Sequence, residues 1–137
     1  MYLLDTNVLS ELVRKHPDPG VTAKLRDLRY EDSNASIITL FELRYGAMRR
    51  ADGADFWRRI QQQIVPATQW LEANFEVAQR AGDITAELEA SGIPIGTEDV
   101  LIGATAMQYS LVVVTRKTEH FSRIPGLRVE NWFSGET

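Results

Sequence analysis

Three acidic residues interrupt apolar stretches of this 137-residue chain. Asp5 ends one apolar segment, Glu42 is the only charge within a second, and Asp99 stands directly in front of a third. A buried carboxylate without a partner is costly, so several acids in apolar settings indicate a shared cation or a shared reaction. Hard oxygen ligands, in a chain that lacks cysteine, favour Mg²⁺ or Mn²⁺ over zinc. The pattern therefore predicts a divalent-metal site.

Each of these acids also has an interpretation that requires no metal. Asp5 would cap a following helix, and Asp99 would be a first-turn acid that the helix dipole favours. Glu42 needs a partner in its apolar run, which a neighbouring arginine would supply. The candidates for that partner are Arg44, Arg49 and Arg50.

Alternating strand and helix patterns predict an α/β fold with a mostly parallel central sheet. The predicted strands cover residues 2–5, 35–38, 64–65, 111–115 and 127–129. The predicted helices cover residues 7–14, 21–29, 40–50, 54–63, 69–91 and 97–109, with 69–91 as one helix or a bent pair and Thr97 as the last N-cap. Ligands of such sheets collect beyond the carboxyl ends of the strands, so the three acids are expected at one edge.

Composition limits the class of protein. The chain is 44% hydrophobic and 25% charged, which is typical of a soluble globular protein, and residues 1–137 are expected to form one domain. The absence of cysteine excludes a disulfide framework and a thiol nucleophile, and it suits a reducing cytoplasm. No segment approaches the roughly 20 apolar residues of a membrane span, and secretion is not expected. Without a GxxxxGK[ST] or GxGxxG motif, a nucleotide-binding or phosphate-processing enzyme is a weaker alternative.

Charge is distributed unevenly along the chain. The net charge is −4, but residues 1–60 carry ten basic and nine acidic side chains, whereas residues 61–137 carry five and ten. Five arginines face only two acids between positions 43 and 60. Such a basic patch would hold a phosphate backbone, or else it is a solvated helix face with mixed charges.

The acids lie within longer motifs. These are LDTNVLS at 4–10, ITLFELRYG at 38–46 and IGTEDVLIGA at 95–104. In order and spacing they resemble the successive motifs of the PIN-domain ribonucleases. The segments VTRKTEHF at 114–121 and PGLRVENW at 125–132 are similar to the VapC-type toxin branch of that family. The resemblance covers essentially the whole chain, and four motifs in register, with the last two segments counted together as the ending, are a specific signal.

This resemblance implies a PIN-like three-layer fold, with a central, mostly parallel sheet flanked by helices. It implies an endoribonuclease that depends on Mg²⁺ or Mn²⁺, hydrolyses RNA phosphodiesters with metal-activated water and acts as the toxin of a type II toxin–antitoxin pair. It also implies a homodimer and a cognate antitoxin that blocks the site, with no membrane and no nucleotide cofactor.

By position, the resemblance also implies roles for individual residues. The metal-binding and catalytic acids are Asp5, Glu42 and Asp99. The residues expected to orient them are Thr6, Asn7 and Thr115. Arg44 is a substrate candidate for a different reason, since it belongs to the basic patch.

Lys117 departs from the family pattern, which often has Asp or Asn at this position. A lysine would repel a second cation, so we expect one metal ion at most. The Lys117 ammonium would contact the scissile phosphate. The alternative is that Lys117 is a solvent-facing lysine on a turn. Glu119 would partly replace the missing acid. The departure also permits an alternative function, a weakly active or non-catalytic module that binds RNA or protein.

Other polar and aromatic residues are expected outside the site. Glu98 is predicted to be exposed, although it is a possible outer ligand, and His16 and His120 are predicted to be structural or exposed. The tryptophans are expected to pack a core or dimer face rather than to stack on bases. They are Trp57, Trp70 and Trp132.

Overall fold

The computed structural model of the protein describes residues 1–135. Its strands are β1 (Tyr2–Leu4), β2 (Ser33–Ser36), β3 (Gln69–Leu71), β4 (Val112–Val114) and β5 (Val129–Glu130). Its α-helices are α1 (Thr6–Leu9), α2 (Pro19–Asp27), α3 (Ile37–Met48), α4 (Gly53–Gln63), α5 (Phe75–Ala90), α6 (Thr97–Gln108) and α7 (Thr118–Phe121). Short 3₁₀ segments cover Ser10–Val13, Tyr30–Asp32 and Val65–Ala67.

The strands form one parallel sheet in the order β3-β2-β1-β4-β5. The central strand β1 pairs on both sides, since Leu3 lies opposite Asn34 of β2 and Val113 of β4. The carboxyl ends of β1, β2 and β4 therefore meet at one edge. The predicted α/β fold with a parallel sheet is confirmed.

Helices cover both faces of the sheet. Alternating side chains of a strand point to opposite faces. Accordingly, Leu3 belongs to a buried cluster with Ile84 of α5 and Ile102 of α6, whereas Leu4 belongs to a second cluster with Val8 and Ile60 from α1 and α4. Because both faces are covered, the chain has the three layers that were predicted.

Strand β2 lies two residues earlier than predicted. The β-branched pair at 37–38 suggested a strand, but Ile37 begins α3 because the Ser36 hydroxyl caps the helix, accepting from the Ile38 amide at 3.0 Å. The strand itself is polar and buried. Its Asn34 side chain donates to the Tyr2 carbonyl at 3.2 Å, a long-range contact that the local pattern does not reveal.

The segment between α4 and α5 also differs from the prediction. The prediction of a strand at 64–65 is wrong, because the chain there passes from α4 into a 3₁₀ turn that contains Pro66. Residues 69–71 were assigned to a helix but form β3, which pairs with β2. Helix α5 begins only at Phe75. Asn74 is its N-cap, because the Asn74 side-chain oxygen accepts a hydrogen bond from the Val77 amide at 3.0 Å.

Helix α6 begins at Thr97, with Gly96 rather than Thr97 in the capping position. Asp99 therefore lies in the first turn as predicted, and it is buried. Over residues 1–135, no helix combines the length and the hydropathy needed to span a membrane.

Candidate functional site

The site lies where the carboxyl ends of the central strands meet. Asp5 follows β1 directly, and Thr115 follows β4 directly. The Asp5 amide donates to the Val114 carbonyl at 2.9 Å, so this parallel pairing continues to the residue that carries the carboxylate. Glu42 comes from α3, the helix that follows β2, and Asp99 comes from the first turn of α6.

Asp5 is fully buried and is held by three donors. Its Oδ1 accepts from the Thr6 amide at 2.8 Å, and its Oδ2 accepts from the Thr115 hydroxyl at 2.7 Å and the Asn7 side-chain amide at 2.9 Å. Asp5 also caps α1, because its side chain accepts from the Thr6 amide and its carbonyl accepts from the amides of Val8 and Leu9. The structure therefore confirms the capping interpretation of Asp5, and its role as a metal ligand stays a prediction.

The donors to Asp5 are themselves fixed by the backbone of the β4–α7 connection. The Asn7 side-chain oxygen accepts from the Arg116 amide at 2.9 Å. The Thr115 hydroxyl oxygen accepts from the Lys117 amide at 2.9 Å. This network fixes the orientation of the Asp5 carboxylate before any ligand binds. The structure therefore brings Thr6, Asn7 and Thr115 to the positions where they were expected.

Glu42 is half-buried and bonds to a hydroxyl rather than to an arginine. The Thr6 hydroxyl donates to Glu42 Oε1 at 2.5 Å and lies 3.3 Å from the Thr39 hydroxyl. Among residues 1–135, no ion pair joins Glu42 to the arginines of α3 and its C-terminal turn. The alternative in which an arginine neutralises Glu42 is therefore wrong.

Asp99 forms an ion pair with Lys117. The sequence analysis placed Lys117 at the site but did not predict this contact. The Lys117 ammonium lies 2.7 Å from Asp99 Oδ1 and 3.0 Å from Oδ2. The Lys117 side chain is 37% exposed, but its ammonium is directed at Asp99, so nothing supports the alternative of a purely solvent-facing lysine on a turn. Glu119 is exposed, and in the described chain no hydrogen bond links it to the three acids, so nothing supports its predicted role as a replacement acid.

His120 is a site residue that the sequence analysis missed. Its Nδ1 lies 3.4 Å from Asp99 Oδ2, although 47% of the side chain is exposed. The short helix α7, which follows β4, could have indicated this contact. In a helical turn, residues three positions apart lie on the same face, so a turn that directs Lys117 toward α6 also directs His120 toward it. His16 makes no such contact in the described residues and is exposed, as predicted.

Burial dominates the electrostatics of the acids. Desolvation raises the pKa of Asp5, against the opposing effects of the Thr115 hydrogen bond and the Lys117 charge. Burial also raises the pKa of Glu42, against the hydrogen bond from Thr6, and the nearby Asp5 charge raises it further. Both carboxylates therefore have a high free energy in their ionised form, and a cation would stabilise them.

Lys117 is the cation that the structure supplies. Burial by itself lowers the pKa of Lys117, but the hydrogen bond to Asp99 and the charges of Asp5, Asp99 and Glu42 outweigh it, so the net shift is upward. Three carboxylates thus act on one ammonium group, which leaves the neighbourhood with an excess of negative charge.

The donor chemistry of this neighbourhood fits a hard divalent cation, since it consists of carboxylate and hydroxyl oxygens with excess negative charge. The side-chain arrangement is a separate matter. Within residues 1–135, no three Asp, Glu, His or Cys side chains are already arranged around a common ion position. The Asp99 oxygens instead face the Lys117 ammonium, so the acids that were predicted to bind metal share an edge without forming a closed cage.

An open cleft lies beside Glu42. It has a volume of about 420 Å³ and is lined by Phe41, Glu42, Tyr45 and Glu98. Phe41 and Tyr45 are exposed and stacked, with ring centroids 6.4 Å apart. Glu98 is exposed, as predicted, and faces the cleft rather than Asp99.

The basic patch is only partly available to a ligand. Arg50 binds Asp52 through two hydrogen bonds of 2.8 and 3.0 Å, and Arg58 binds Asp55 at 2.9 Å. Arg44, the predicted substrate contact, lies over the Trp57 ring at 4.9 Å. The described part of the patch is therefore a mixed-charge face in which some arginines are paired with acids, and its contact with a phosphate backbone stays a prediction.

Comparison with known proteins identifies the family. Residues 2–127 match the PIN domain. The chain belongs to the PIN-domain family. It is 39% identical to the toxin FitB of Neisseria gonorrhoeae over 126 residues, covering 88% of this chain and 91% of FitB. It is 31% identical to the tRNA(fMet)-specific endonuclease VapC of Salmonella typhimurium, covering 96% of this chain and 97% of that protein.

Solved structures agree with the sequence relatives. The FitAcB structure from Neisseria gonorrhoeae superposes on this PIN domain with a TM-score of 0.87 and 36% identity, covering 96% of this chain and 97% of that chain. The predicted resemblance to PIN-domain ribonucleases and their VapC-type branch is confirmed.

Proposed function

We propose that this PIN domain is a divalent-metal-dependent endoribonuclease and the toxin of a type II toxin–antitoxin pair. The observation that carries the proposal is the convergence of Asp5, Glu42 and Asp99 at one sheet edge, with Asp5 already oriented by Thr115. The names of the relatives, which include a toxin and a tRNA-specific endonuclease, support RNA as the substrate class.

The three acids are proposed to hold one Mg²⁺ or Mn²⁺. A bound ion of this kind stabilises the charge that develops on a phosphate during hydrolysis and makes water a better nucleophile. Asp5 contributes a carboxylate whose geometry its three donors hold fixed. Glu42, with its raised pKa, is suited to accept the proton of the attacking water, and the Thr6 hydroxyl keeps its Oε1 in place.

Lys117 is proposed to serve the substrate as well as the acids. Its side chain is partly exposed at the same edge, and an ammonium group is a good point charge for a phosphate oxygen. Its charge also disfavours a second cation, which supports the prediction of one metal ion at most. The non-catalytic alternative, which rested on this lysine, finds no support, because the relatives carry ribonuclease and endonuclease names.

The proposed partner is a cognate antitoxin. One solved structure of similar fold, with a TM-score of 0.86 and 28% sequence identity over 96% of this chain, is that of VapBC2 from Rickettsia felis bound to a DNA fragment from their promoter. In this PIN domain, α3 exposes Phe41, Tyr45 and Met48 in one stripe, and the cleft beside the stripe contains Glu42. A partner that covers these apolar side chains would also close the access to Glu42. We also infer a homodimer and a cytoplasmic setting for this activity.

The test is RNA cleavage by the purified full chain. We expect cleavage of transfer or messenger RNA to vanish in EDTA and to return with Mn²⁺ or Mg²⁺. Asp5→Asn and Asp99→Asn should each reduce the rate more than about 100-fold, since even residues that only orient a metal ligand contribute 10–100-fold. Asp83→Asn, the same change at an exposed position of α5, is the control and should keep the wild-type rate. Full cleavage by Asp99→Asn would refute the proposal.

A further inference from the structure

The ion pair between Lys117 and Asp99 uses both oxygens of the carboxylate. Nζ lies within hydrogen-bond distance of Oδ1 and of Oδ2, at 2.7 and 3.0 Å. Asp99 is only 6% exposed, so water offers its carboxylate little alternative solvation. The remaining neighbour, His120 Nδ1, is at the longer distance of 3.4 Å. Lys117 is therefore the principal cation for this carboxylate.

The backbone around Lys117 fixes the base of its side chain. Its amide donates to the Thr115 hydroxyl at 2.9 Å, and its carbonyl accepts from the His120 and Phe121 amides at 3.1 and 3.3 Å. Its ammonium group lies 5.9 Å from the Phe121 ring centroid. The hydroxyl that orients Asp5 thus also positions the residue that neutralises Asp99, and only the flexible stem of Lys117 is free to move.

We propose that the Lys117 ammonium and the divalent cation compete for Asp99, so that the lysine must leave this carboxylate when the metal binds. The inference rests on the proposed function, because it assumes that Asp99 is a metal ligand. An ammonium within hydrogen-bond distance of both oxygens lies close to any divalent ion bound to the same carboxylate, and the two cations repel each other at that separation. Lys117 therefore neutralises Asp99 in the metal-free site and weakens the affinity of the site for metal.

This competition explains the side-chain arrangement. Three carboxylates share the edge, but they do not surround a common ion position in the described chain, because the one on α6 is directed at the ammonium. Removal of the ammonium should have opposite effects on the two states of the protein. The metal-free protein should lose stability, since Asp99 would keep only the His120 contact among residues 1–135, whereas the affinity of the protein for metal should rise.

The test is a calorimetric titration of the full chain with Mn²⁺ at fixed pH and ionic strength. Lys117→Met, which keeps the apolar stem and removes the charge, should bind Mn²⁺ at least about tenfold more tightly, as expected for loss of one adjacent like charge. Lys117→Arg keeps the charge and should not bind Mn²⁺ more tightly than the wild type. Lys15→Met makes the same substitution at an exposed site among arginines and should change nothing.

Thermal unfolding gives a second readout that does not depend on catalysis. In EDTA, Lys117→Met should unfold at a lower temperature than the wild type, and saturating Mn²⁺ should raise its melting temperature by more than it raises that of the wild type. Lys117→Gln is a second neutral variant if the methionine variant does not fold. A purely structural lysine would lower the melting temperature equally with and without Mn²⁺.

The outcomes separate this inference from the proposed function. If the wild type binds Mn²⁺ and Asp99→Asn abolishes binding, but Lys117→Met binds no more tightly, only the competition is overturned. If no variant binds Mn²⁺ and no divalent ion supports cleavage, the proposed function fails and the inference fails with it. Tight binding that appears only in the neutral variants would support the inference most strongly.

Discussion

At the residue scale, the site combines ionised groups that a folded chain would ordinarily avoid. Burial raises the pKa of both Asp5 and Glu42 above their ordinary values, so the folded protein holds protons more tightly there than the unfolded chain does. Without a cation, the contribution of these acids to stability falls as pH rises from the unfolded pKa through the folded pKa. Hydrogen bonds reduce this cost, and the one from Thr115 is the largest that opposes the burial of Asp5.

Replacement of Thr115 by valine should therefore act through Asp5. The variant loses the 2.7 Å hydrogen bond, so the pKa of Asp5 should rise further. Since the proposed metal would require the ionised carboxylate, the acid limb of the cleavage-rate profile should move to higher pH. We expect a loss of about 10–100-fold in rate near the acid limb, as for other groups that orient a metal ligand. The measurement is the rate of RNA cleavage as a function of pH.

Two variants separate this effect from simple damage to the fold. Thr115→Ser keeps the hydroxyl and should restore the wild-type pH profile. Thr105→Val removes another buried hydroxyl, which bonds to the Leu101 carbonyl at 2.8 Å away from the three acids. It should cost about 1 kcal/mol in the free energy of unfolding and leave the pH profile unchanged. An acid limb that stays in place in Thr115→Val would contradict the assigned role.

At the element scale, the sequence predicted the parts of the fold that local patterns encode. Strands β1 and β4 and the buried first-turn position of Asp99 follow from apolar runs and helix periodicity. Strand β3 could not be predicted in this way, because Gln69 and Trp70 gain strand structure from pairing with β2. The ion pair of Lys117 with Asp99 joins residues 18 positions apart, and its direction depends on the packing of α7.

The α3–α4 connection positions the helix that carries Glu42, and its geometry requires a glycine. A Cβ at Gly53 would lie 2.4 Å from the Ala47 carbonyl oxygen, whereas nothing lies within 4 Å of a Cβ at Gly82 in α5. We expect Gly53→Ala to reduce the free energy of unfolding by about 1–3 kcal/mol, because the backbone must shift. Gly82→Ala should raise it by about 0.5–1 kcal/mol.

Chemical denaturation of the two glycine variants measures both effects under the same conditions. The sign should differ between them, since the substitution is identical and only the surroundings change. Equal effects at the two positions would show that the close approach of α3 and α4 does not require glycine.

At the scale of the whole molecule, an acidic protein must present positive charge locally to approach RNA. The net charge is −4, and two arginines of the patch, Arg50 and Arg58, are already bound to carboxylates. Arg44 and Arg49 lie over the rings of Trp57 and Tyr45 at 4.9 and 5.4 Å. Among the described residues neither of them forms an ion pair with an acid, so their charge remains available for phosphates. The single domain expected over residues 1–137 stays a prediction.

The RNA affinity of the molecule should therefore depend on particular arginines. In the Asp99→Asn background, in which we expect cleavage to be lost, the double change Arg44→Gln and Arg49→Gln should weaken binding to single-stranded RNA uniformly across sequences. It should also reduce the slope of log affinity against log salt by about 0.7 for each phosphate that the variant no longer neutralises. Fluorescence anisotropy over a range of salt concentrations measures both quantities. Arg58→Gln removes the same charge from a paired, exposed side chain, so its slope should match that of the background protein. If all three arginines reduced the slope equally, net charge rather than position would govern RNA binding, and the patch would have no specific role.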